Sequence, residues 1–314
     1  MLSYIVRRLL GVIPVMLVVG VFVFSLLHLA PGDPAAIIAG DNATAANVAR
    51  IRTNLGLDRP LMEQFTSWGW ATLQGDLGVS MYTNIPVATM VQQRAGPTFS
   101  LAVTTMLVAV VIAVTMGVLA AWKAGSLLDR AVMGLAVMGF SVPVFVVGYL
   151  MVYFFALDLR WLPVQGYRPL ADGFWDWLRH LILPSFALGL AYVALIARIT
   201  RASMLEVLAE DYIRTAMAKG VATVPMLLGH ALKNAAVPIV TVIGIGVALL
   251  MSGVVITETV FNIPGIGRLV VDAISRRDYP IIQGVMIVFA AVYVLVNLVV
   301  DILYCVLDPR IRYS

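Results

Sequence analysis

Six long apolar runs dominate this chain and leave few folds open to it. They extend from Leu9 to Ala30, about Phe99 to Trp122, Ala131 to Leu157, Leu181 to Ile199, Ala235 to Thr257 and Ile281 to about Leu307. A helix needs about 20 mostly apolar residues to cross a bilayer. In lipid the backbone must satisfy its own hydrogen bonds, so only helices and closed barrels span. Barrel strands are short and alternate in polarity, whereas these runs are continuous and too long. Composition agrees: 61% of the 314 residues are hydrophobic and 12% charged, against about 25% charged in a soluble chain. Disorder needs the opposite balance. One cysteine, Cys305, cannot make a disulfide scaffold, and His28, His180 and His230 are too far apart for a metal motif. The expected fold class is an all-α polytopic membrane protein with six transmembrane helices.

An even number of spans puts both termini on one side. The positive-inside rule makes that side the cytoplasm. The inside segments then hold Arg7, Arg8, Lys123, Arg130, Arg198, Arg201, Arg214, Lys219, Lys233, Arg310 and Arg312, with the short Lys123–Arg130 loop as the clearest indicator. The net charge of +4 is accounted for by these flanks and gives no reason to invoke nucleic acid. The first run has the basic start of a signal peptide. It is longer than the 7–15 residues of a cleaved apolar region, so it reads as a retained span. The chain divides into 1–97, the first span and an extracytoplasmic segment; 98–307, the core transmembrane bundle with an inner loop at 203–238; and 308–314, a cytoplasmic tail.

Catalytic signatures are missing. There is no G-x-x-x-x-G-K-[ST] loop for a nucleotide phosphate, and no G-x-S-x-G, H-E-x-x-H or C-x-x-C. Ion-coupled pumps place several acids within their spans. Here Asp301 is the exception, one turn after Asn297, and it reads as a residue near the inner end of span six paired with Arg7 or Arg8. A pore or carrier with no engine of its own remains, and the long inner loop is where an engine on another chain would attach. That loop carries a helical pattern from Ser203 to Gly220. Ser203 with Glu206 fits a capping box. Leu205, Leu208, Tyr212 and Ala216 form an apolar stripe, and Gly220 fits a left-handed C-terminal cap. Between the last two spans, Ile266, Leu269, Val270 and Ile274 predict an amphipathic helix.

The stretch Glu210-Asp211-Tyr212-Ile213-Arg214-Thr215-Ala216-Met217-Ala218-Lys219-Gly220, with His230-Ala231-Leu232-Lys233-Asn234 and Pro238, resembles the EAA loop of bacterial ABC importer permeases. The likeness is to the dipeptide/oligopeptide/nickel family and its B-type permease. Leu29-Ala30-Pro31-Gly32-Asp33-Pro34, Gly75-Asp76-Leu77-Gly78, Thr257-Glu258-Thr259-Val260-Phe261, Pro264-Gly265-Ile266-Gly267-Arg268 and Arg277-Asp278-Tyr279-Pro280 follow the family pattern in order. Met217 stands where the pattern carries Arg, and Pro225 interrupts the link between the two halves of the loop. The short segment between spans three and four resembles glutathione and other short-peptide permeases.

The resemblance implies a type I ABC importer permease fold with a cytoplasmic EAA coupling helix, in the bacterial cytoplasmic membrane. It implies a second homologous permease subunit, two ATP-binding subunits carrying ATP and Mg, an extracytoplasmic substrate-binding protein and membrane lipid as partners. This chain itself would carry no cofactor, no metal and no enzyme activity. The cargo would be a di- or oligopeptide or a similar solute such as glutathione. Glu210, Asp211, Tyr212, Arg214, Thr215, Ala216, Lys219 and Gly220 would meet the ATPase. Ser141, Pro143, Ser252, Thr257 and Glu258 are candidates for the pathway, and Arg276, Arg277 and Asp278 for docking the binding protein. A self-contained ion-coupled secondary transporter is the alternative.

Overall fold

The computed structural model describes residues 2–29, 35–36, 44–54 and 56–307. The described elements are helical: α1 Leu2–Leu29, α2 Ala45–Asn54, α3 Leu61–Leu73, α4 Val87–Trp122, α5 Leu127–Ser141, α6 Val144–Met151, α7 Phe174–Leu208, α8 Asp211–Ala218, α9 Ala236–Val260, α10 Ile266–Arg276 and α11 Tyr279–Leu307. A π-helical turn, Val152–Asp158, extends α6, and short helical turns cover Thr223–Asn234. Four helices are long and apolar enough to cross a membrane, or up to six if each bent pair is one span. Among the described residues, the expected loop 31–97 contains α2, α3 and the first turns of α4.

One expected span is broken, and another is met at an angle by the turns before it, each for an identifiable reason. Span three bends by 104° between α5 and α6. Pro143 drives its predecessor, Val142, to φ −92°, ψ 126°, because the proline ring disfavours helical backbone in the residue before it. Pro143 then serves as the N-cap of α6. Span five forms as the continuous helix α9, and the turns ending at Asn234 meet it at 66°. A helix continuous with those turns would drive the ring of Pro238 into the Asn234 carbonyl, so the chain turns at Ala235.

The chain forms two compact units. One contains Gly96–Arg268 and the chain from Leu295; the other contains Leu2–Ala95 and Leu269–Val294. In the first, α7 is the central helix. Leu181, Leu188, Ile196 and Ala197 are buried among Leu101, Ala109 and Ala113 of α4 and Leu250 and Val254 of α9. Close contact between α4 and α7 depends on Gly117, where a Cβ would stand 2.6 Å from the Thr200 Cβ. Small residues of this kind let helix backbones approach in lipid. Higher up, Thr104 and Ser185 share a 2.8 Å hydrogen bond across the same pair.

At the loop end of α5, Arg201 holds the buried Asp129 through two hydrogen bonds of 2.5 and 2.7 Å, and the Gly125 amide adds a third of 2.9 Å. The pair also fixes register: α5 runs antiparallel to α7, with Asp129 beside Arg201 and Gly139 against Leu190.

In the second unit, Phe24 of α1 stacks against Phe65 and Trp68 of α3 at centroid distances of 5.4 and 5.8 Å. His28 completes this contact through Gln64, at 3.2 Å. Trp70 and Leu73 of α3 are exposed, so the anchoring of α3 falls to Phe65 and Trp68.

Candidate functional site

The loop after α7 forms differently from the sequence expectation. The Ser203–Glu206 capping box is absent, because α7 runs on to Leu208 and Ser203 is buried within it. Leu205 and Leu208 therefore belong to the long helix. The separate helix is α8, eight residues long, with Glu210 as an N-cap in extended backbone at φ −71°, ψ 146°. Gly220 ends the segment at φ +80°, the left-handed backbone that favours glycine.

A helix this short is marginal in water, so packing must hold α8. Its single buried side chain is Ile213, fully enclosed by Met204 of α7, Val118 and Ala121 of α4, and Met226, Leu227 and Ala231 of the following turns. Ile213 is the residue that the sequence reading missed; the apolar stripe had been drawn through Tyr212 instead. Ala216 is half-buried one turn further on. All other α8 side chains are exposed, with Glu210, Lys219 and Gly220 beside them. Tyr212 is 44% exposed, and Met217 49%. Partial desolvation, then the Glu210 carboxylate, pushes the Tyr212 phenol up. Arg214 and Asp211 lie 3.4 Å apart, both largely exposed, a pair worth little. The result is a rigidly seated helix offering a tyrosine, a methionine, small residues and mixed charges to whatever meets it.

The pathway candidates scatter. Ser141 is exposed at the end of α5, its hydroxyl donating to the Val137 carbonyl at 2.9 Å, and Pro143 is exposed at the break. The Ser252 side chain lies outside the described residues. Thr257 is buried and donates to the Gly253 carbonyl at 3.0 Å. Glu258 is fully buried and acts as a structural clasp. One carboxylate oxygen accepts from the Thr98 hydroxyl at 2.6 Å and the other from the Arg268 amide at 2.9 Å. Thr98 in turn accepts from the Ile266 amide at 2.8 Å. The Glu258 carbonyl accepts from the Ile263 amide at 2.9 Å. Gly265 packs on this carboxyl so closely that a Cβ would overlap it.

Helix α10 forms as the periodicity predicts, but its buried face runs through Ile266, Leu269 and Ala273, leaving Ile274 57% exposed. Arg276 and Arg277 are exposed; Arg277 sits at φ +59°. Asp278 is buried, accepting from the Ser80 hydroxyl at 2.6 Å and the Met81 amide at 3.3 Å. It ties the 78–87 turn to the start of α11, and only the two arginines face outward.

Comparison with known proteins identifies the family. Residues 113–313 match the model of the binding-protein-dependent transport system inner membrane component, and residues 1–102 match its N-terminal companion. A probable peptide ABC transporter permease protein, y4tP, of Sinorhizobium fredii is 57% identical over 310 residues, 99% of each chain. The glutathione transport system permease protein GsiC of Escherichia coli is 45% identical over 314 residues, the whole of both chains. Among solved structures, the inward-facing MetNI methionine ABC transporter aligns with a TM-score of 0.56 at 15% identity, covering 70% of this chain and 96% of that one. At that identity the likeness is one of fold.

Proposed function

The chain belongs to the family of binding-protein-dependent transport system inner membrane components, and on that premise we propose how it works within an ATP-driven ABC importer. It is the permease subunit of such an importer, embedded in the membrane by several helices. Its cargo is a short peptide or a peptide-like solute such as glutathione, a reading supported by the names of its relatives. It sits in the bacterial cytoplasmic membrane with both termini in the cytoplasm. A second permease chain completes the pathway, and two ATP-binding subunits carry ATP and Mg.

The observation that carries this reading is the seating of α8. Ile213 fixes the helix to α4, α7 and the turns before α9, while nearly every other side chain stays exposed. A helix held on one point and bare elsewhere can pass a push from a partner into the three elements that hold it. Glu210, Asp211, Tyr212, Arg214, Thr215, Ala216, Lys219 and Gly220 form the contact with the ATPase. When ATP closes the ATPase pair, α8 moves with it, and the bundle shifts between its two access states. This is a population shift driven by differential contact. The described residues of the spans offer no chain of acids of the kind an ion-coupled carrier uses.

In the segment between the last two spans, Arg276 and Arg277 meet acidic groups of the binding protein. Replacing both with Glu should weaken docking, more so at low salt, since exposed charges are screened within about 10 Å at 0.1 M. The measurement is binding-protein affinity for the reconstituted complex at two ionic strengths. Unchanged affinity at both removes this loop from the docking surface.

A further inference from the structure

We propose that α5 and α7 build a site for an anionic phospholipid on the cytoplasmic leaflet. A cleft of about 240 Å³ lies along the contact between these helices, lined by Met133, Val137, Phe140 and Ser141 of α5 and by Leu195 and Arg198 of α7. Its wall is apolar except at the two ends. Ser141 closes one end and spends its hydroxyl on its own helix, at the Val137 carbonyl. Arg198 closes the other. Its guanidinium is exposed and has no hydrogen bond or ion pair among the described residues. The neighbouring Asp129 is held by Arg201, which donates to both of its carboxylate oxygens.

A second cation stands at the same end. Arg130 is exposed, one turn before Met133, and helical spacing puts Arg130, Val137 and Ser141 on one face of α5. It too lacks a hydrogen bond or ion pair among the described residues. The antiparallel register fixed by Asp129 and Arg201 sets both exposed arginines at the loop end of the cleft.

Depth decides the occupant. Arg198 lies three residues from Arg201, about 4.5 Å along the helix, so it sits close to the Lys123–Arg130 loop and far from the midplane, where carriers place cargo sites. From Met133 to Ser141 the apolar wall rises about 12 Å, most of the depth of one leaflet, which is about 15 Å. Two cations at headgroup level below an apolar wall of leaflet depth match a phosphate with its acyl chain. Basic pockets between spans on the cytoplasmic side take anionic headgroups by this arrangement. The leaflet follows from the orientation proposed above; the site itself is independent of the importer reading.

The test uses the chain purified with its partner subunits, stripped of lipid and offered phosphatidylglycerol or phosphatidylcholine, with bound lipid counted by native mass spectrometry. Wild type should retain phosphatidylglycerol. The double variant Arg130→Gln, Arg198→Gln should hold it about 30-fold less tightly, with phosphatidylcholine unchanged. Val137→Trp, which fills the cleft and keeps both charges, should also reduce retention. Arg179→Gln, far from the cleft, should not. Equal phosphatidylglycerol retention by wild type and the double variant overturns the site, as does an equal fall in Arg179→Gln. If the double variant keeps its lipid but loses the second permease chain, or needs more cargo for half-maximal uptake, the arginines serve those contacts and the lipid site is wrong.

Discussion

Ile213→Asp should abolish ATP-driven uptake while leaving the spans inserted in the membrane. Ile213 is fully buried and is the only buried residue of α8. Truncating a buried isoleucine to alanine costs about 2–5 kcal/mol. A carboxylate in the same enclosure costs several kcal/mol more, because its walls, Met204, Val118, Ala121, Met226, Leu227 and Ala231, are apolar. An eight-residue helix has no independent stability to offset such a loss, so it leaves its seat. The long helices around it keep their own packing, and protein level in the membrane should stay near wild type. Co-purification of the ATPase should fall, and uptake should drop to background. Ile213→Val, a loss of about 0.5–1.5 kcal/mol, should transport normally. Wild-type uptake by Ile213→Asp would mean that force does not pass through this contact.

Glu258→Ala and Gly265→Ala should damage folding more than they damage any step of transport. Glu258 accepts two charge-assisted hydrogen bonds in a fully buried position. Each is worth about 1.5–3 kcal/mol, so removing the carboxyl costs about 3–6 kcal/mol and strands the Arg268 amide. Gly265→Ala attacks the same clasp from the other side, since its methyl would overlap the carboxyl. Thermal unfolding in detergent should fall by on the order of 10 °C for both. Glu258→Gln keeps the volume and one acceptor and should fall in between. A pathway residue behaves otherwise: full thermal stability with reduced uptake by Glu258→Ala would return Glu258 to the pathway.

What the sequence made legible follows from which physical signal each feature leaves. Apolar length is a strong local signal, and it located the starts of α9 at Ala236 and α11 at Tyr279 closely, but α4 begins at Val87 and α7 runs from Phe174 to Leu208, well beyond the expected apolar stretches, because more polar turns continue each helix. Gly220 was readable because a left-handed cap has few residue choices, and it sits at φ +80°. The boundary between α7 and α8 was not readable. Ser203 and Glu206 satisfy a capping-box pattern, but burial of Ser203 and Met204 against other helices continues α7 past them. Tertiary packing, which is non-local, overrode a local cap. The role of Ile213 was hidden for the same reason: one isoleucine on a polar helix becomes an anchor only when α4 and the turns before α9 close around it. Glu258 and Asp278 were both read as surface or pathway groups. Their partners, Thr98 and Ser80, lie 160 and 198 residues away in sequence, and no spacing rule connects them. The break at Pro143 was available from proline chemistry alone.

The most direct test of the central claim, that this chain is a pathway driven by ATP hydrolysed on another subunit, is uptake of a labelled short peptide or glutathione into sealed vesicles. One set holds this chain alone under an imposed proton or sodium gradient. The other holds it with the second permease, both ATP-binding subunits and the binding protein, with ATP supplied on the cytoplasmic side. The account predicts no uptake by the lone chain under any gradient, and ATP-dependent accumulation by the full assembly. Gradient-driven accumulation by the lone chain would contradict it.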